Sequence, residues 1–211
     1  EPAGGGHGAG DGGRHAPQPG LTGASGAMRG EAEGALAGLR VVEWGEGIAA
    51  PYCGKLLADL GAEVVKVEPP EGDLARRHGP FPGDRAHPER SGLFLWLNAN
   101  KWGVTLDISS SPGRQDFDAV LAGADVLVMD RRPASLQAVG LSVESIEASH
   151  PRLVITSVTG FGLTGPYRDY RATALTCAAA GGASTTIGEP ERPPLCLPLE
   201  QGTLVLETVA V

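Results

Sequence analysis

Residues 39–68 read LRVVEWGEGIAAPYCGKLLADLGAEVVKVE, and they decide the fold class. Leu39–Trp44 (LRVVEW) is an apolar run of strand length, and Pro51–Leu60 (PYCGKLLADL) repeats its apolar residues at helical spacing and stops at Gly61. Glu63–Val67 (EVVKV) is a second strand of the same kind. A strand, a helix and a strand within about thirty residues make a βαβ unit, because parallel neighbours need a crossover connection, and such crossovers are right-handed. The class is therefore α/β, with an open, mostly parallel sheet and helices on its faces.

Beyond this unit, further strands are expected at Gly103–Asp107 (GVTLD), Val126–Met129 (VLVM) and Leu153–Val158 (LVITSV). Helices fit between them: Pro112–Ala122, with Pro112 at the first helical position after Ser111, and Val143–His150, capped by Ser142. Arg171–Ala180 is a candidate helix of small residues. Pro69–Ser91 holds five prolines without a period and is expected to be a long surface loop, and Phe161–Tyr170 is a second Gly/Pro loop. Of the 32 Gly of the chain, 12 fall in residues 1–35. Residues 1–35 carry almost no large apolar side chain, so they are expected to form a disordered Gly-rich tail. Met28, shortly before the first apolar pattern, is a candidate true start, and the apolar run Thr203–Val211 ends without a stop signal, as if cut within an element.

Composition removes several function classes. The formal net charge of −8 over 211 residues repels polyanions on average, which argues against nucleic acid and acidic lipid as partners. Cys53, Cys177 and Cys196 are odd in number and form no C-x-x-C pair, so neither a disulfide framework nor a zinc site is indicated, and a reducing, cytoplasmic compartment is expected. No stretch reaches the length of a membrane span, and no signal-peptide pattern opens the sequence.

Gly45-Glu46-Gly47-Ile48-Ala49-Ala50, directly after the first strand, matches G-x-G-x-x-A, and Glu68 stands 18 residues beyond Ala50 at the end of the second strand. A turn of this kind lets a backbone approach a pyrophosphate at a helix N-terminus, with a carboxylate for the ribose. Pro51 removes one N–H from that set. A nicotinamide-binding site and a purely structural strand-to-helix turn are the two readings of this motif.

A longer pattern is more specific. Leu36–Glu68, Gly72-Asp73 with Arg76, Leu97–Asp107 (LNANKWGVTLD), Ala124–Gly140 (ADVLVMDRRPASLQAVG), Pro151–Tyr167 (PRLVITSVTGFGLTGPY) and Gly181–Gly188 (GGASTTIG) follow one another in order. Together they resemble the class III CoA-transferase family, over roughly residues 36–211. The resemblance implies a Rossmann-like α/β fold and a substrate that is CoA or an acyl-CoA, with no permanently bound cofactor. It also implies transfer of CoA to a carboxylic acid, and a chain that is the N-terminal part of the large domain, the second domain being absent. Members of this family form interlocked dimers, so a homodimer or pairing with a second family half is the expected assembly.

In this family a side-chain aspartate attacks the acyl-CoA thioester, a case of nucleophilic covalent catalysis. By resemblance the nucleophile here is Glu200, which follows Pro193–Leu199 (PPLCLPL). Glutamate in place of aspartate carries the carboxylate one methylene further. The same resemblance assigns CoA contacts to Gly47, Ile48, Ala49 and Leu106, and to the cations Lys101, Arg131, Arg132 and Arg171. Other positions depart from the family: Trp102 stands in the usual Asn-Lys-Arg, and Ala138 where an arginine is common. A non-catalytic half retained for assembly is the competing reading. The related α-methylacyl-CoA racemases need a histidine acid/base where Thr173 and Ala174 stand, and His7, His15, His78, His87 and His150 fall elsewhere.

Overall fold

The computed structural model describes residues 34–182, 184, 188–189 and 191–193. Glu200, the PPLCLPL stretch beyond Pro193, the run Thr203–Val211 and the Gly-rich segment as far as residue 33 lie outside the described residues.

Five parallel strands form one sheet in the order β3-β2-β1-β4-β5: β1 Arg40–Trp44, β2 Glu63–Glu68, β3 Trp102–Thr105, β4 Val126–Met129 and β5 Val154–Ser157. The helices are α1 Ala49–Asp59, α2 Gly92–Leu97, α3 Ser111–Ala122, α4 Pro133–Ala138, α5 Val143–Ser149 and α6 Ala174–Ala180. From β1 the chain winds outward through β2 to β3, then returns to place β4 on the other side of β1 and β5 beyond it. The strand order thus reverses between β1 and β4, and a crevice opens at the carboxyl ends of strands at such a switch point.

Alternation along the strands divides the core into two layers. Val42, Trp44, Val67, Leu127 and Met129 face one way and pack with Phe117, Leu121, Leu136 and Ile146 of α3, α4 and α5. Val41, Val64 and Val128 face the other way and pack with Ala50 and Ala58 of α1. Because both faces are covered, the strands read as apolar runs rather than alternating ones. The same alternation turns Glu43 and Lys66, paired in register, toward the α1 layer.

All five expected strands are present. Helix α3 is capped by Ser110, whose side chain accepts from Gly113 N, so it begins one residue before Pro112. Helix α5 has the expected Ser142 cap, and α6 starts only at Ala174 because Thr173 caps it in a box with Thr176. Helices α2 and α4 escape a periodicity search because each has six residues, too few for a repeat, and is set by its start: the Ser91 side chain at α2 and Pro133 at α4. The loop before α2 contains two 3-10 turns, Leu74–Arg77 and Pro82–Asp84, and tucks Asp73 and Ser91 into the interior. Ahead of β1, Leu36 N donates to Leu60 O at 3.0 Å, fastening this segment to the end of α1.

Candidate active site

Three loops meet at the switch point: the β1–α1 turn Gly45–Ile48, the segment Asp130–Arg132 after β4, and the loop after β2 that carries Asp73. Glu46 N donates to Asp130 Oδ2 at 2.8 Å, and Gly47 N donates to Asp73 Oδ1 at 2.9 Å. Gly47 has φ +78°, a conformation that favours glycine. In a dinucleotide fold such amides face the pyrophosphate. Here two of them are given to carboxylates of the protein itself, so the G-x-G-x-x-A turn does not offer residues 46 and 47 to a phosphate.

Behind the turn lies a chain of alternating charges. Lys66 Nζ donates to Glu43 Oε1 at 2.9 Å and Gly45 O at 3.0 Å, and pairs with Asp73 Oδ2 at 2.7 Å. Lys101 Nζ donates to Glu43 Oε2 at 2.6 Å, Pro51 O at 2.6 Å and Asn98 Oδ1 at 2.9 Å. The three protons of Lys101 have three acceptors, and Lys66 has two acceptors and the Asp73 carboxylate as ion-pair partner. All four side chains are at most 2% exposed. Burial opposes the Lys66 charge, but Glu43 and Asp73 outweigh it and hold its pKa above the ordinary lysine value. For Lys101 burial wins over Glu43, and its pKa falls to about 8.

The network continues outward through Glu68, which accepts from Asp73 N at 3.1 Å and takes both Arg76 Nε and Nη2, at 2.7 and 2.9 Å. Arg76 in turn lies over the Phe94 ring, 3.6 Å from its centroid, and reaches Glu89 at 3.0 Å. Burial alone would raise the Glu68 pKa, but the bidentate arginine and the Asp73 amide hold it below the ordinary carboxylate value.

The expected ligand contacts divide by place. Gly47, Ile48, Ala49 and Arg131 gather at the switch point. Ile48 and Ala49 are buried there, Ile48 against Ala75, Phe94 and Leu97. Arg131 pairs with Glu46 at 2.5 Å, and its guanidinium lies 5.3 Å from the Trp44 ring centroid. Arg132 stands at the N-cap position of α4 and donates to Asp169 O at 2.7 Å, while Asp169 Oδ1 accepts from Ala134 N at 3.0 Å, so the Phe161–Tyr170 loop is tied to the start of α4. Lys101, expected at a phosphate, is held inside by Glu43. Leu106 packs at the margin of the α3 layer, and Arg171 is exposed in the loop before α6. The residues missed by sequence reasoning are Glu43, Lys66 and Asp73. For Glu43 and Lys66 the one visible trace is an acid and a base inside the neighbouring apolar runs VVEW and EVVKVE, which does not by itself turn them inward; Asp73 lies in neither run.

Burial pushes the Asp130 carboxyl up to about 6, against the pull of Arg131. A carboxyl raised in the folded state binds more protons than in the unfolded chain between about pH 4 and 6, so the contribution of Asp130 to stability falls as pH rises through that window. Asp130→Asn keeps an acceptor for Glu46 N and has no proton to lose. It is expected to abolish the decline in Tm between pH 4 and 6 and to leave Tm at pH 7 no lower than that of the natural protein. Thermal unfolding followed by circular dichroism at several pH values checks this. A decline of unchanged size in the variant would exclude Asp130 as its source.

Among the described residues, no group of three or more His, Cys, Asp or Glu could hold a metal ion, and no helix is long and apolar enough to cross a membrane.

The profile of CoA-transferase family III matches residues 36–206. The succinyl-CoA:(R)-benzylsuccinate CoA-transferase subunit BbsE of Thauera aromatica is 39% identical over 171 residues, which are 81% of this chain and 42% of that protein. The succinyl-CoA–L-malate CoA-transferase beta subunit of Chloroflexus aurantiacus is 39% identical over 163 residues, 76% of this chain and 39% of that protein. A CAIB/BAIF family protein from Brucella suis, known as a crystal structure, superposes with a TM-score of 0.70 at 33% identity, covering 84% of this chain and 49% of that one. The chain thus spans about two fifths of the length of these curated relatives.

Proposed function

The chain belongs to CoA-transferase family III, and on that premise we propose that it moves CoA from an acyl-CoA to a carboxylic acid, with the Glu200 carboxylate as acyl acceptor. Enzymes of this family use CoA thioesters as substrates, and the proposed chemistry follows from that. A Glu200 oxygen attacks the thioester carbonyl, the C–S bond breaks, and CoA leaves as thiolate from a mixed anhydride. The thiolate then attacks the glutamyl carbonyl, forming a glutamyl-CoA thioester and releasing the first acid. The incoming carboxylate attacks that thioester to form a second anhydride. CoA thiolate, expelled again, attacks the new acyl carbon, which yields the new acyl-CoA and restores Glu200. Each difficult exchange becomes several acyl transfers.

The observation that carries the reading is the convergence of the Gly45–Ile48 turn and Asp130–Arg132 at the β1/β4 switch point, where open α/β sheets bind their ligands. CoA is strongly anionic, and Arg131 and Arg132 stand at that edge, so they are the cations proposed for its diphosphate, with Arg171 beside the following loop. Residues 36–211 would form the N-terminal part of a large domain. A second domain would complete the acyl pocket, in an interlocked homodimer or with a second family half, acting in the cytoplasm.

A second reading has its own support. The two relatives named above are described as a subunit and a beta subunit, and glutamate stands here where the family uses aspartate. In this reading the chain is a degenerate half that binds CoA and assembles with an active partner. The full-length protein incubated with an acyl-CoA and an isotopically labelled carboxylic acid separates the two. Labelled acyl-CoA is the expected product. Saturable CoA binding without exchange would favour the degenerate half, and neither binding nor exchange would end both readings.

A further inference from the structure

Asp73 is held from behind and acts forward. Gly72, at φ +76°, follows a turn closed by Gly72 N on Pro69 O at 2.9 Å and delivers Asp73 into the interior. The Asp73 N–H is fixed on Glu68, which Arg76 grips with two hydrogen bonds. Its Oδ1 also accepts from Ala75 N at 2.7 Å, capping the 3-10 turn Leu74–Arg77. With its backbone and one local hydrogen bond set by its own loop, the carboxylate has two remaining engagements: Gly47 N at 2.9 Å and Lys66 Nζ at 2.7 Å. Lys66 holds the carbonyl of Gly45, so one side chain controls both ends of the β1–α1 turn, directly at Gly47 and through Lys66 at Gly45.

We propose that Asp73 is a positioning residue for the CoA thioester, fixing the Gly45–Ile48 turn in the shape that lines the crevice while keeping the Gly47 amide from the ligand's phosphates. This inference rests on the CoA-transferase reading above. A site built only for stability would gain from replacing these buried charges with apolar groups of similar volume. The four charges here instead join the β1–α1 turn and the loop after β2, two of the three loops that meet at the switch point, to the segment between α2 and β3. The consequence for the ligand is a division of labour. The turn contacts CoA by shape, and the diphosphate is left to the guanidinium side beyond β4.

The test uses the full-length protein and three variants: Asp73→Ala, the milder Asp73→Asn, and Ile146→Ala. Ile146 packs in the layer on the opposite face of the sheet, so its variant controls for lost stability. Two quantities are read: steady-state kinetics with acyl-CoA, and hydrogen exchange of the peptide spanning residues 44–50. Asp73→Ala is expected to raise the acyl-CoA KM at least about tenfold with kcat changed less than about threefold, and to speed Gly47 exchange about tenfold. Asp73→Asn, which retains an acceptor but not the charge, should lie between it and the natural protein and serves alone if Asp73→Ala does not fold. Ile146→Ala should lower Tm and leave KM in place. Accelerated exchange with KM unchanged would overturn the proposal, as would unchanged exchange, or a KM shift of equal size in Ile146→Ala. A natural protein with no saturable response to acyl-CoA would overturn the CoA-transferase reading and this inference together, whereas natural protein and Asp73 variants that bind alike would overturn this inference alone.

Discussion

Gly54→Ala is expected to lower Tm by about 10 °C or more, although alanine is the better helix former and position 54 lies within α1. The reason is the sheet beneath the helix. Ala50, Gly54 and Ala58 are four apart and share the face that α1 lays on β1 and β2. At the middle of that face stands the Glu43 carboxylate, and a Cβ added at 54 would overlap Glu43 Oε2 and come within 3.4 Å of Lys101 Nζ. Little can yield. Glu43 is fully buried and holds Lys66 and Lys101 on its two oxygens. Displacing it leaves buried ammonium groups without their partner, and breaking a buried pair costs about 3–5 kcal/mol. In a domain of this size each kcal/mol shifts Tm by about 2–4 °C. Gly103→Ala is the control, because Gly103 lies exposed in β3 and nothing stands within 4 Å of its added Cβ. Its Tm should stay within a few degrees of the natural protein, as measured by calorimetry. Equal Tm values for the two variants would mean that Glu43 does not occupy the space under α1.

Glu200→Gln is the substitution with the largest expected effect on activity. An amide has the size of the carboxylate but neither its charge nor its nucleophilicity, so no anhydride forms, and kcat/KM for CoA transfer should fall at least about a thousandfold. Glu200→Asp keeps the nucleophile and shortens its arm to the length usual in the family. It should retain measurable turnover, since a misplacement of about 1 Å costs on the order of a hundredfold rather than all activity. Binding of the acyl-CoA, followed by calorimetry, should survive both changes. Full turnover in Glu200→Gln would remove this residue from the chemistry.

The fold was largely legible in the sequence, and the reasons differ by element. Strands buried on both faces announce themselves as runs such as VVEW and VLVM, and a helix of eleven residues such as α1 is long enough to show a period. The six-residue helices α2 and α4 are not, and their identity rests on one cap or one proline. The interior charges were hidden for another reason. A lone Glu or Lys in a strand reads as an outward-facing position, and only the parallel register that sets Glu43 beside Lys66 turns both inward together. Asp73 was harder still, since it enters from a proline-rich loop that reads as surface, and its burial depends on the left-handed Gly72 and on Glu68 behind it. The glycine motif after β1 was visible, but its meaning turned on two carboxylates, Asp73 and Asp130, that stand 26 and 84 residues away from the amides they hold.

The most direct measurement follows the proposed covalent step itself. Full-length protein is mixed with an acyl-CoA, quenched with hydroxylamine or borohydride, and its peptides are weighed. The account predicts an acyl-CoA-dependent change of mass at Glu200, lost in Glu200→Gln. CoA transfer that proceeds while Glu200 keeps its native mass would contradict it.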